Sequence, residues 1–204
     1  METKKDKRFD NRSKDAFKKD IYFGTAVESY WWDKLLVEAE RCNGFGFDHH
    51  RSNGCGNDGR YLKTGTNTGG ADYYASGWVF DQSFAHGIEV KWVSSPGRIT
   101  LKKADVDCYL KEGSGLYIIQ NIDRSIDLRK PKGNHNIETH LSRLDKACAD
   151  GKIVWSLMLA NNFACMMDEF TDYRPIKYMG NKQGVVIQDD DWIRYASVSG
   201  AFFK

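Results

Sequence analysis

The chain has 204 residues, of which 41% are hydrophobic and 13% aromatic, enough to bury a substantial core, so global disorder is excluded. Its length suits one domain, and its formal net charge of +2 neither demands nor excludes a nucleic-acid partner. No apolar run is long enough to cross a bilayer, and no secretory signal pattern opens the chain, so we expect a soluble protein without membrane contacts.

The cysteines are odd in number and widely scattered, with no close-spaced pair that would indicate a disulfide framework. Reduced thiols in the cytoplasm are the expectation that fits this pattern best. The five positions are Cys42, Cys55, Cys108, Cys148 and Cys165.

Residues 1–20 alternate Lys, Arg and Asp with almost no apolar side chain, which predicts a flexible charged segment ahead of a single domain over 21–204. Thr25 is a good N-cap, and Glu28 three residues later completes a capping box. We therefore predict a helix from Ala26 to about Arg41. Its buried stripe comprises Val27, Trp31, Trp32, Leu35, Leu36 and Ala39.

Residues 43–70 are rich in Gly, Asn, Asp and Ser, and we predict a loop there with one short strand at Tyr61-Leu62. Residues 71–80 and 87–93 then predict two strands that pair as an antiparallel hairpin. Alternation along the second strand puts Ile88, Val90 and Trp92 on one face and Glu89 and Lys91 on the other.

The remaining pattern completes a mixed α/β domain. Thr100 or a neighbour is expected to cap a helix through about Lys111, and residues 153–167 are apolar but do not distinguish helix from strand. The other predicted elements are a buried strand at 116–122, a helix at 137–149, late strands at 184–188 and 192–203, and a turn at 189–191.

Asp72 lies near the start of the strand that neighbours the one bearing Glu89 and Lys91. Two carboxylates on adjacent strands can converge on one divalent cation, and the Val90 carbonyl can supply a further oxygen. A lysine beside them can stabilise charge on an attacking hydroxide or on phosphorus. The alternative is an exposed Glu89–Lys91 ion pair of little energetic value, and Asp81 competes with Asp72 but falls at the predicted turn.

Gly70-Ala71-Asp72, followed 17 positions later by Glu89-Val90-Lys91, resembles the PD-(D/E)xK motif of the restriction-endonuclease-like nuclease superfamily. The resemblance covers roughly residues 24–122. Ala71 stands where the motif name has proline, and the glutamine of the Thr-x-x-Gln pattern seen in the following helix of the family is absent after Thr100.

The resemblance implies a restriction-endonuclease-like core, a central mixed β-sheet flanked by helices in the order helix, hairpin, helix, strand. It implies a DNA endonuclease that depends on Mg²⁺ or Mn²⁺, with Asp72, Glu89 and Lys91 catalytic and with Asp72, Glu89 and Val90 on the metal. Many members also place a first-helix glutamate near the metals, a position that Glu28 occupies here. The capping box remains the competing explanation of Glu28.

Basic residues that suit contacts with a DNA backbone are Arg98, Lys102, Lys103, Arg129, Lys130 and Lys132. A homodimer is plausible because cutting both strands needs two active sites, and no ATPase motif indicates a nucleotide cofactor. A branched-DNA resolvase, a recombination exonuclease and a catalytically inactive nucleic-acid-binding or interaction protein on the same fold remain alternatives.

A zinc site is the remaining candidate, because Cys42, His49, His50 and Cys55 together offer four ligands. The run Asp48-His49-His50 also resembles the start of an HNH nuclease motif. Neither C-x2-C nor a His-x3-5-His spacing is present, so a polar loop close to the active site is the preferred interpretation.

Overall fold

The computed structural model of this chain describes residues 14–52, 70–93, 97–123, 136–177 and 181–202. Within these ranges the helices are α1 (Lys14–Arg41), α2 (Lys103–Glu112), α3 (Ile137–Ala149), α4 (Ala160–Glu169) and α5 (Asp189–Ile193). The strands are β1 (Phe45–Ser52), β2 (Tyr73–Val79), β3 (Gln82–Val93), β4 (Arg98–Lys102), β5 (Gly115–Asn121), β6 (Ile153–Met158), β7 (Arg174–Ile176), β8 (Lys182–Gln188) and β9 (Val198–Ala201).

A six-stranded mixed sheet with the order β1-β2-β3-β5-β6-β9 forms the centre of the molecule. Its neighbours are antiparallel except β3 and β5, which run parallel and are connected by a crossover that carries β4 and α2. A second sheet has the order β4-β8-β7. The prediction of an α/β chain with a central mixed sheet flanked by helices is confirmed.

Two clusters of buried side chains lie on opposite faces of the central sheet. Tyr117 and Ile119 of β5 belong to the cluster that α1 and α3 cover, whereas Leu116 and Ile118 belong to the cluster that α2 and α4 cover. This division follows from the period of two along a strand. The second cluster also includes the apolar side chains of β4, β8 and α5, so the small sheet packs on the α2 side.

The first helix is longer than the sequence predicts. It spans 28 residues and begins at Lys14, so Thr25 lies inside it and the predicted N-cap is wrong. Lys and Ala are good helix formers, and a helix can continue through Gly24 at a cost of roughly 1 kcal/mol. The predicted inward stripe is confirmed, with Trp31, Trp32 and Leu35 at its buried centre.

Residues 45–52 form β1, where a loop was expected, because they pair antiparallel with β2. The sequence does not predict this strand, because residues 48–52 are exposed and polar and a bulge between Phe47 and His49 breaks the alternation. The predicted strand at Tyr61-Leu62 lies outside the described residues.

The β2–β3 hairpin and β5 are confirmed, and α3 has the predicted bounds, with the Asn136 side chain as its N-cap. Thr100 does not cap a helix, because residues 98–102 pair with β8 as β4 and α2 starts only at Lys103. Residues 153–167, whose apolar pattern does not distinguish helix from strand, fall in a strand followed by a helix, β6 and α4.

The acidic run at residues 189–191 opens α5 instead of forming a turn, and the last strand starts at Val198, not at Trp192. Trp192 is buried in the α2-side cluster, which explains why its segment had an apolar pattern without being a strand. The division of the chain at residue 20 stays a prediction.

None of the four cysteines within the described residues forms a disulfide. No helix in these ranges is both long and apolar enough to span a membrane.

Gly113 ends α2 with φ of 63°, and its N–H donates to the Leu110 carbonyl. A Cβ at this position would meet no atom within 4 Å, so a side chain would cost backbone strain alone. We expect Gly113→Ala to lower the free energy of unfolding by about 1–2 kcal/mol in urea titrations. Gly113→Asn is the matched control and should lose less, since Asn tolerates this conformation; equal losses would contradict the strain argument.

Candidate active site

Asp72 lies where the pairing of β2 with β3 stops. The last pair in the ladder is Tyr73 with Ile88, so Glu89, Val90 and Lys91 extend beyond the start of β2. The Val90 N–H donates to the Asp72 carboxylate over 2.8 Å, replacing the missing ladder bond. Because N–H and C=O of one strand residue share an edge, the Val90 carbonyl lies on the same edge of β3 as Asp72.

Tyr73 fixes the start of β2 against α1. Its ring stacks on Trp32 with centroids 4.1 Å apart and planes 4° apart, and its hydroxyl donates to Ser29 over 3.4 Å. The residue before Tyr73 is Asp72 and the residue before Ser29 is Glu28, so this contact brings the two carboxylates to one end of the sheet. With Thr25 inside the helix, the capping box no longer explains Glu28.

Glu89 and Lys91 lie together on the α2 side of β3, and the Lys91 ammonium forms a direct ion pair with the Glu89 carboxylate. Glu89 is 8% exposed and the Lys91 side chain 25% exposed, so this pair is not the solvated surface pair considered as the alternative. The ammonium also donates to the hydroxyl of Tyr109 on α2 over 3.1 Å.

Burial and neighbouring charges shift the pKa values of Asp72, Glu28 and Lys91. Burial raises the pKa of Asp72 to about 8, with repulsion from Glu89 and Glu28 adding to the shift and the Val90 N–H opposing it. Burial and the Glu89 charge also raise the pKa of Glu28. For Lys91, burial lowers the pKa, but the neighbouring carboxylates outweigh it and the net shift is upward, which keeps the ammonium charged.

Three carboxylates therefore surround one ammonium in a site largely screened from water. Oxygen donors with an excess of negative charge are what Mg²⁺ and Mn²⁺ prefer, so the donor chemistry of Glu28, Asp72, Glu89 and the Val90 carbonyl fits a divalent cation. In this arrangement the Lys91 ammonium pairs with the Glu89 carboxylate, and the Val90 N–H donates to the Asp72 carboxylate. Across the described ranges, no three His, Cys, Asp or Glu side chains form a closed metal-binding group.

Tyr109 is the functional candidate that the sequence did not single out. Burial and the Glu89 charge raise its pKa, so its hydroxyl stays protonated. Its position three residues after buried Val106 places it on the inward side of α2. That spacing is the only signal in the sequence, and it does not show that the residue facing Tyr109 is Lys91.

The competing acidic residue and the zinc candidates lie elsewhere. Asp81 is exposed in the hairpin turn, at the opposite end of the β2–β3 ladder from Asp72. Cys42 follows the end of α1, and His50 on β1 accepts from the Trp32 indole over 3.4 Å. Cys55 lies outside the described residues, so the four-ligand zinc hypothesis stays untested.

Three of the six basic residues predicted to contact nucleic acid lie within the described residues. Arg98 is exposed on β4, Lys102 lies 3.3 Å from Asp105, and Lys103 lies 2.7 Å from Asp107. Exposed ion pairs of this kind contribute about 0–1 kcal/mol, so a phosphate can compete with the carboxylate for the lysine. The other three positions, Arg129, Lys130 and Lys132, lie outside the described residues.

No family model matches this chain, and no curated protein matches it. Among solved structures, the chain is similar to the Holliday junction resolvase Hjc of Archaeoglobus fulgidus, an archaeal hyperthermophile, with 12% sequence identity and a TM-score of 0.34. The match covers 82% of this chain and 88% of the resolvase chain. At that TM-score the likeness carries no weight for fold or function, which rest on the residues of this chain.

Asp72→Asn tests the cost of burying the Asp72 charge beside two other carboxylates. The folded-state pKa of about 8 exceeds the ordinary 3.8, so ionisation of the unfolded chain lowers stability as the pH rises between these values. In EDTA at pH 8 we expect Asp72→Asn to unfold at higher temperature than the wild type, by about 2–4 °C for each 1 kcal/mol gained. The gain should vanish below the ordinary pKa.

Asp81→Asn, in the exposed turn, is the matched control and should show no such pH-dependent gain. Thermal unfolding followed by circular dichroism across this pH range gives the measurement. A destabilised Asp72→Asn protein at pH 8 would contradict the assigned cost of burying the Asp72 charge.

Proposed function

We propose that this chain is a divalent-metal-dependent nuclease of the restriction-endonuclease-like type that hydrolyses phosphodiester bonds in DNA. The observation that carries the proposal is the hydrogen bond from the Val90 N–H to Asp72, which joins the two halves of the motif at the end of the hairpin. The Asp72 carboxylate thereby lies beside the stretch of β3 that bears Glu89 and Lys91, as metal-assisted hydrolysis requires.

The order of elements supports the same proposal. A long helix, a hairpin, a helix and a strand parallel to the second hairpin strand follow one another as α1, β2–β3, α2 and β5, with β1 and β4 as additional strands. The motif resemblance implies a core with this order of elements, which supports the proposal. In this proposal Glu28 on α1 takes the role of the first-helix glutamate that many members of the superfamily place near the metals.

In this proposal Glu28, Asp72, Glu89 and the Val90 carbonyl would hold Mg²⁺ or Mn²⁺. Such an ion, when bound, supplies a hydroxide at neutral pH and neutralises charge on the phosphoryl oxygens. The Lys91 ammonium orients the attacking water and stabilises the negative charge that develops on the phosphoryl group. Tyr109 is a positioning residue, because its hydroxyl accepts from the Lys91 ammonium and so fixes its place.

Hydrolysis adds water across one P–O bond of the backbone. The family resemblance implies that the 3′ P–O bond breaks, which leaves a 5′-phosphate, while the departing 3′ oxygen takes up a proton and becomes a hydroxyl. DNA is bound through its backbone by Arg98, Lys102 and Lys103, together with Arg129, Lys130 and Lys132, and a homodimer would supply an active site for each strand.

The proposal is tested with supercoiled plasmid, linear duplex and a four-way junction, each incubated with Mg²⁺, Mn²⁺ or EDTA. We expect cleavage with either metal and none in EDTA. Asp72→Ala and Lys91→Ala should each lower the cleavage rate at least ~100-fold, because each removes a group that stabilises the transition state. The preferred substrate separates a restriction-type enzyme from a junction resolvase or an exonuclease.

Asp81→Ala is the matched control, since it removes the competing carboxylate at the far end of the hairpin and should cleave at the wild-type rate. Cleavage that persists unchanged in both Asp72→Ala and Lys91→Ala would overturn the assignment. Absence of cleavage by the wild type on all three substrates would favour an inactive nucleic-acid-binding protein.

Metal binding has a readout that does not depend on activity. At 100 times its dissociation constant, Mg²⁺ should stabilise the wild-type fold by about 2.7 kcal/mol. Because Asp72 must lose its proton to bind metal, this stabilisation should increase as the pH rises towards 8. Thermal unfolding with and without Mg²⁺ measures it.

Asp72→Asn and Glu28→Gln should reduce the Mg²⁺-dependent stabilisation, whereas Asp81→Asn should not. An equal Mg²⁺ effect in the wild type and in Asp72→Asn would show that the ion binds at another place.

A further inference from the structure

The face of β2 that carries Asp72 also carries exposed aromatic side chains. Alternation along the strand puts Asp72, Tyr74 and Trp78 on one side of the sheet, and Phe80 follows in the turn. Tyr74 is 39% exposed, Trp78 37% and Phe80 65%. We call these three side chains the aromatic face.

Two of the rings lie against glycines. The Trp78 ring lies against Gly46 on β1, and the Phe80 ring lies against Gly44, the residue before β1. A Cβ on Gly46 would be 2.8 Å from the Trp78 indole, and a Cβ on Gly44 would be 3.1 Å from the Phe80 ring. Each ring therefore covers a glycine, a packing known to stabilise strand glycines. With the inner surface of each ring against the backbone, the exposed fraction lies on the outer surface.

Phe80 is held in an unfavourable backbone conformation. Its φ of 52° lies in the left-handed region, which Gly, Asn or Asp usually occupies in a two-residue hairpin turn. Its N–H donates to the Gly44 carbonyl over 2.6 Å, which fixes the turn on β1. Conformations of this kind are concentrated at binding sites, and this phenyl ring is too exposed for core packing to explain it.

A cation completes the aromatic face. Arg51 on β1 pairs with Tyr74 on β2, and its guanidinium lies over the Tyr74 ring, 5.5 Å from the centroid. Arg51 is exposed and lies at the end of β1 nearest to Asp72, so the aromatic face carries a positive charge beside Tyr74, at the end that leads to the candidate active site. Exposed rings with an interleaved arginine are typical of surfaces that bind unpaired nucleotides.

We propose that the aromatic face binds unpaired nucleotides of the substrate by stacking, with Arg51 on the intervening phosphate. This inference rests on the proposed nuclease function and specifies its substrate as DNA with a single-stranded segment beside the scissile phosphate. Bases within a duplex already stack on one another and have no free π-face to offer, whereas every unpaired base has one.

Binding in EDTA tests the aromatic face separately from cleavage. Fluorescence anisotropy at one salt concentration compares a labelled single strand, a blunt duplex and a duplex with a single-stranded tail. Trp78→Ala should weaken binding of the single strand and the tailed duplex roughly 5- to 150-fold, and binding of the blunt duplex by less than about twofold.

Trp78→Phe keeps a ring on the face and should bind nearly as the wild type, which distinguishes loss of stacking from loss of folding. Tyr22→Ala is the matched control, because it removes a 68% exposed ring from α1 and should change none of the three affinities. Circular dichroism melting of each variant checks that the fold is retained.

An equal loss on all three nucleic acids, or no loss on any, would overturn the proposal. So would unchanged affinities accompanied by a dimer-to-monomer change in light scattering, since the face would then contact a second copy of the chain. If the stacking result fails while Mg²⁺-dependent cleavage persists, only the substrate inference falls. Ring-dependent binding without any cleavage would instead contradict the nuclease function.

Discussion

The register of β2 on β3 is the constraint from which the candidate site follows. Pairing ends at Tyr73 and Ile88, while β3 continues to Val93, so the edge of β3 beyond that point has no backbone partner in β2. The Asp72 carboxylate takes the place of the missing carbonyl and accepts the Val90 N–H. A shift of one residue would turn Asp72 to the other face and remove it from Glu89 and Lys91.

This arrangement places negative charge where water cannot fully screen it. Burial first, and repulsion from neighbouring carboxylates second, raise the pKa of Asp72 and of Glu28, so the fold holds both groups where their charged forms are disfavoured. Lys91 offsets part of the charge, and Tyr109 in turn holds Lys91. Sites that bind cations commonly carry such a cost in stability, because the ligands must be assembled before the ion arrives.

Hydrophobic packing anchors the start of β2 beside the site and leaves part of the neighbouring sheet face exposed. On the α1 side, the stack of Trp32 on Tyr73 anchors the start of β2 within the core. On the other side, α2 and α4 cover β3, β5 and β6, while Tyr74 and Trp78 on β2 remain exposed. The candidate site lies at the boundary between the covered and the exposed parts of one sheet face.

The sequence alone determined the features that depend on local periodicity. A period of two predicted the hairpin and placed Glu89 and Lys91 on the opposite strand face from Val90. A period near 3.6 predicted α3 with its bounds. The predicted hairpin, together with the resemblance to the PD-(D/E)xK motif, selected Asp72 and Glu89 as candidates. Each of these features needs only neighbours along the chain or across one tight turn.

The tertiary structure decided what depends on distant partners. β1 is a strand because β2 supplies its hydrogen bonds, although residues 48–52 are polar and exposed. Tyr109 contacts the site because α2 packs over β3. The aromatic face is exposed because no described helix covers it. Local patterns report which side of an element is apolar, but only the packing of elements shows which residue each side chain meets.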